Sequence, residues 1–136
     1  MIDQHGFVKL IDSSLINYGE TGYSRAMFTG KYRAALSPKL MHSLKYKELK
    51  PVHDPSKSDI FSIGITTLCA ALNNKLDDFY DWSKGVIEWD SIKMALIRMN
   101  ELGFSKQLIG TVEGMLKENE SQRIGCDELS YFLEEN

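Results

Sequence analysis

The chain has 136 residues, 43% of them hydrophobic, and a formal net charge of −3 with Lys and Arg dispersed among Asp and Glu. That length and balance suit one globular domain with a modest core and exclude the basic face that nucleic-acid recognition requires. No run approaches the roughly 18 consecutive apolar residues of a membrane span, and Met1-Ile2-Asp3-Gln4-His5-Gly6 has neither a signal-peptide nor an Arg-rich transit pattern.

In chain order, Phe7-Val8-Lys9-Leu10-Ile11 is a short β-rich run after a turn at Gly6, with Met1-Ile2 as the stub of a preceding strand. Residues 12–36 hold few periodic apolar positions and many turn formers, including Ser13, Ser14, Asn17, Gly19, Gly22 and Gly30. They predict a long loop, a kind of segment that is usually functional or mobile. Ser37-Pro38 starts a short helix to about Leu44, Ser37 offering a cap and Pro38 fitting the first turn. A loop runs on to Ser58. Residues 59–72 then carry apolar side chains around most of a helical circumference, as a helix in a protein interior does. Ile92, Ala95, Leu96, Met99 and Leu102 share a helical face, with Asp90 as cap and Gly103 as stop. Leu108, Ile109, Val112, Met115 and Leu116 repeat the pattern after Ser105, and a last helix spans 127–135. A strand pair, a long loop and then only helices fit a mainly α domain or a piece of an α+β one, read as a single unit.

Several local features fall in an order that resembles the C-terminal lobe of the eukaryotic protein-kinase family, and together they cover nearly the whole chain. Residues 7–14 resemble the strand running into the magnesium-binding Asp-Phe-Gly triplet, with Asp12 keeping the acid and Ser13 and Ser14 replacing Phe and Gly. Leu36-Ser37-Pro38-Lys39 resembles the Ala-Pro-Glu end of an activation segment, with Lys39 in place of Glu. Ser58-Asp59-Ile60-Phe61-Ser62-Ile63-Gly64 resembles the Asp-x-Trp-Ser-x-Gly start of the buried central helix, and residues 118–123 resemble the run that ends in a buried Arg, here Arg123. The resemblance implies a kinase C-lobe-like helical unit with a strand remnant at 1–11, an activation-segment-like loop at 12–39 and a helical part at 58–136. Its family positions are Asp12, Ser13, Ser14, Pro38, Lys39, Asp59, Gly64 and Arg123.

Phosphoryl transfer in that family also needs a Gly-rich loop, a strand Lys with its Glu partner, and a catalytic-loop Asp and Asn. In kinases these precede the strand at which this sequence opens. Asp12 alone does not hold Mg-ATP, because the ion takes nucleotide phosphates as co-ligands. No catalytic, cofactor or metal residue is therefore expected. Lys39 faces a further problem: in the family the corresponding Glu pairs with the buried Arg, and two cations there repel, so one must turn outward or find another acid. Asp59 has two readings, an inherited acid that caps the catalytic loop and an ordinary acid in a helix's first turn.

The family covers its central helix with an upstream helix that this sequence lacks. Apolar residues left in water would exceed the patch that monomers tolerate, each worth roughly 1.5–3 kcal/mol against a total stability of about 5–15 kcal/mol. Another polypeptide is therefore expected to cover Ile60, Ile63, Leu68 and their neighbours. The other features have plainer readings. Tyr23, Ser24 and Thr29 are phosphorylation candidates beside Arg25 and Arg33, in a loop of a kind that commonly offers them. Asp77, Asp78 and Asp81 lack EF-hand spacing and make a solvated acidic turn. His5, His42 and His53 are paired with no nucleophile. Tyr80, Trp82 and Trp89 pack half-buried or meet a partner, and residues 45–50 face solvent. Cys69 and Cys126 fall outside metal-ligand spacing and point to a reducing intracellular setting, a cytoplasmic or cytoskeletal assembly.

The expected role is a non-catalytic, pseudokinase-like interaction or scaffold subunit whose partners are other protein subunits, with no cofactor, nucleic acid or membrane insertion. Two alternatives stand beside it. One is the C-terminal half of a split Ser/Thr kinase completed by a partner chain with Mg-ATP; the other is a piece of a longer kinase or pseudokinase.

Overall fold

The computed structural model describes residues 4–7, 34–48 and 51–134. Among these the chain is mainly helical: α1 (Pro38–Tyr46), α2 (Pro55–Leu72), a 3-10 turn (Leu76–Asp78), a hairpin of β1 (Tyr80–Asp81) and β2 (Val86–Ile87), α3 (Trp89–Glu101), α4 (Lys106–Met115), a second 3-10 turn (Glu120–Gln122) and α5 (Cys126–Glu134). No helix of the described residues is long and apolar enough to cross a membrane.

The expected strand remnant at 1–11 and the loop at 12–36 lie almost wholly outside the described residues. What is described there is a turn at residues 4–5, Gly6 at φ +85°, a value that glycine adopts without strain, an exposed Phe7, and residues 34–36 leading to α1. Among the described residues a β-hairpin spans residues 80–87, with Tyr80 opposite Ile87 and Asp81 opposite Val86.

Helix boundaries follow from the capping chemistry. The central helix starts at Pro55 rather than near Ser58, because Asp54 accepts a hydrogen bond from the Lys57 amide at 3.1 Å and Pro55 takes the first helical position, where no N–H is needed. Its end at Leu72 is closed by Asn73 in the left-handed conformation. Ser105 caps α4 by accepting from Leu108 N–H at 3.1 Å, and Gly103 at φ +83° ends the turn after α3. Asp90 lies inside the first turn of α3 and the N-cap position is Glu88. Ser37 precedes α1, yet its hydroxyl does not cap that helix; it turns inward to α2.

The core gathers around α2. Phe61, Ile65 and Leu68 join Leu36, Leu40 and Met41 from the α1 side, Phe79, Tyr80 and Ile87 from the hairpin, and Ile92, Met99, Val112 and Leu116 from α3 and α4. This arrangement corrects the expectation that Ile60 and Leu68 await a separate chain. Ile60 is 2% exposed and Leu68 0%, both buried by this chain's own residues. The helices that follow α2 in sequence wrap it, and beyond its first turn its exposed positions reduce to Asp59, Ile63, Thr66 and Ala70, with Ile63 48% exposed. Thr66 and Thr67 return their hydroxyls to the carbonyls of Ser62 and Ile63, four residues back, so the outer face is already satisfied in part.

Gly64 permits the close approach of α2 to α4. A Cβ at this position would lie 2.9 Å from Cγ and Cδ2 of Leu116 and 3.1 Å from Cβ of Met115. A larger side chain there would force Leu116 aside or separate the two helices.

Candidate functional site

The most elaborate polar arrangement in the described residues surrounds Arg123, which follows the second 3-10 turn and is 2% exposed. Its planar guanidinium suits such a site because five N–H donors point in fixed directions. Nε donates to the Lys117 carbonyl at 3.0 Å. One terminal nitrogen donates to Lys117 and Glu118 carbonyls at 2.9 and 3.2 Å, and the other donates to the Lys57 carbonyl at 2.8 Å. Lys117 and Glu118 lie just past the end of α4, where carbonyls lack intrahelical donors. The guanidinium carbon also sits 4.9 Å from the centre of the Phe61 ring, whose edge-to-face neighbour is Trp89 at 6.1 Å. A return bond runs from Lys57 Nζ to the Arg123 carbonyl. Arg123 thus clamps the first turn of α2 to the α4–α5 connection.

Burial of Arg123 disfavours its charge and lowers its pKa, while the negative charges of Glu120 and Asp54 oppose that shift. The repulsion expected between Arg123 and Lys39 is relieved by a different acid. Lys39, half exposed on α1, reaches Glu120 Oε1 at 2.9 Å. Position 39 therefore carries the cation, and Glu120 in the 3-10 turn supplies the acid to both basic groups. Sequence reasoning singled out Lys39 and Arg123; Glu120 lies in the run 118–123, but its pairing with Lys39 was not read from that run.

A second polar cluster lies between the residues preceding α1 and the start of α2. The His53 Nδ1 is 2.7 Å from Ser58 Oγ, which is 2.9 Å from Ser37 Oγ, and all three residues are buried. Ser62 donates to the Ala35 carbonyl at 2.6 Å, and Tyr80 OH donates to the Leu36 carbonyl at 2.9 Å. Burial raises the Tyr80 pKa, so this hydroxyl stays a donor. His53 was expected to pair with no nucleophile; its partner is the hydroxyl of Ser58, five residues on. Both serines are inaccessible, so the pair is a structural bond rather than an exposed nucleophile.

Of the remaining family positions, Asp12, Ser13 and Ser14 lie outside the described residues, as do Tyr23, Ser24, Arg25, Thr29 and Arg33. Pro38 opens α1. Asp59 falls in the second turn of α2 and is exposed; the acid at the helix start is Asp54, and Asp54-Pro55 was the sequence signal for it. The acidic turn resolves into local bonds. Asp78 accepts from the Lys75 amide, Asp77 accepts from Trp82 Nε1, and Asp81 accepts from Ser83 and pairs with Lys84. The Lys84 and Ser83 hydrogen bonds hold Asp81 well below the usual carboxylate range. Tyr80 stacks on Trp82 at 4.8 Å and is buried, whereas Trp82 and Trp89 are half-buried. His42 lies 4.0 Å from Glu48 on the exposed side of α1. Residues 45–48 are exposed, as expected.

No family model, no curated protein and no solved structure matches this chain.

Proposed function

We propose that the chain is a non-catalytic, protein-kinase-derived interaction subunit of a larger intracellular protein assembly. The reading rests on the ordered set of kinase-like motifs along the sequence, and the observation that carries it is the charge arrangement around Arg123. In the family that the motifs resemble, an acid at the position of Lys39 pairs with the buried Arg and fixes the end of the activation segment. Here the donors of Arg123 go to the carbonyls of Lys57, Lys117 and Glu118, and Lys39 is drawn to Glu120. The residues before α1 are held instead by neutral bonds through Ala35, Leu36 and Ser37. An anchor of this kind holds these residues without the acid that the family carries at position 39.

A further observation supports the reading. Met94, Ile97 and Leu102 leave apolar side chains in water along α3, the type of surface that protein partners cover.

Thermal unfolding with ATP, with and without Mg²⁺, tests the proposal. The expected result is an unchanged midpoint in both. A Mg²⁺-dependent rise would instead favour a split enzyme in which Asp12 completes a magnesium site, and would overturn the non-catalytic reading.

A further inference from the structure

Three residues leading into α1, Ala35, Leu36 and Ser37, are fastened to the rest of the molecule by side chains of other elements. Ser62 of α2 holds Ala35, Tyr80 of the hairpin holds Leu36, and Ser58 of α2 holds Ser37. The last of these bonds continues to the buried imidazole of His53, so His53, Ser58 and Ser37 form one chain of hydrogen bonds 2.7 and 2.9 Å long. Its middle member is committed on both sides. Ser58 has a single hydroxyl proton, so the direction of the Ser58–Ser37 bond depends on what the imidazole does at the other end.

We propose that His53 is an acid-sensitive latch: neutral, it closes the seam through Ser58 to Ser37, and on taking up a proton it loosens the hold of α2 on residues 35–37 and the first turn of α1. A cation at this position is poorly solvated, because His53, Ser58 and Ser37 are all buried. Among the described residues, the charges that act on His53 come from Asp54 on its own segment, Lys39 on α1 and Glu120 on the second 3-10 turn. Burial is the largest influence and lowers the pKa of His53. A backbone hydrogen bond at Asp54, with the charges of Glu120 and Asp54, works against it, and Lys39 reinforces it. The Lys39–Glu120 ion pair thus sets how far Glu120 can favour a charged imidazole.

The pH window follows from the sign of that shift. An unfolded His titrates near pH 6.5, and the folded group takes up its proton only at lower pH. Between those two values the unfolded chain binds more protons. The contribution of the neutral seam is therefore complete above about pH 6.5 and declines as pH falls through the window, levelling off below the folded pKa.

Two NMR measurements on the full chain test the latch. The first is the titration of the His53 imidazole, and the second is amide hydrogen exchange at pH 7.5 and 5.5, corrected for intrinsic exchange. The expected midpoint for His53 lies below that of an unfolded His, and Lys39→Met moves it upward by freeing Glu120. On acidification the Met41 amide, which donates to the Ser37 carbonyl at 2.8 Å, should lose protection more than Met99 in the core of α3. His53→Asn, which keeps a hydrogen-bonding group but cannot titrate, should abolish that selective loss. A midpoint at or above the unfolded value, or equal losses at Met41 and Met99, would overturn the proposal. If the Asn variant does not fold, the wild-type and Lys39→Met titrations still decide.

Discussion

At the scale of single residues, the buried charge of Arg123 is held by geometry rather than by an opposite charge at position 39. Its fork reaches carbonyls on two separate stretches of chain, at Lys57 and at Lys117 and Glu118. Lysine carries the same charge but only one nitrogen, so Arg123→Lys leaves carbonyls without donors and the Phe61 ring without its planar neighbour. The expected loss is about 2–3 kcal/mol, read from the urea midpoint. The Lys39–Glu120 pair is a different case, because Lys39 is half exposed and solvent screens it. A double-mutant cycle with Lys39→Met and Glu120→Gln should give a coupling of no more than about 1 kcal/mol. A larger coupling would mean that the pair, and not the carbonyl fork, holds this corner of the molecule.

At the scale of elements, the contact of α2 with α4 depends on the missing side chain at Gly64. Alanine there gains helix propensity of about 1 kcal/mol but drives a methyl into Leu116 and Met115, and overpacking of this kind costs about 1–3 kcal/mol. Gly64→Ala is therefore expected to be net destabilising by roughly 1 kcal/mol, whereas Gly110→Ala, with open space around its Cβ, is expected to stabilise α4. Chemical denaturation of the two variants checks the contrast. The helices themselves were legible in the sequence wherever periodicity was strong: α2, α3, α4 and α5 lie where the apolar spacing puts them, with shifts of a few residues at their starts. The hairpin at 80–87 was not legible, since strands of two residues are too short to show an alternation. The covering of α2 was misread for a different reason. A circumference of apolar residues tells that a helix is buried but not by what, and the chain itself buries Ile60 and Leu68, the latter in the core shared with α3, α4 and the hairpin. Likewise Lys39 and Arg123 were visible as a conflict of charges, while Glu120 and the His53–Ser58–Ser37 seam arise only when loops distant in sequence meet.

At the scale of the whole molecule, a helical unit with its own core has little need of a partner for folding, so its expected role in an assembly rests on surface rather than on rescue of a bare core. That surface includes α3, where Met94, Ile97 and Leu102 face solvent. Replacing Met94 and Ile97 together with Gln should leave the unfolding midpoint within about 0.5 kcal/mol of the wild type, as exposed substitutions do, while weakening association with any partner that covers α3. Native mass spectrometry of the chain purified at its natural level from its own cells tests the central claim most directly. The expected spectrum shows the chain in a protein complex of fixed stoichiometry with no mass for bound nucleotide. A solitary chain, or a complex that carries ATP and Mg²⁺, would contradict it.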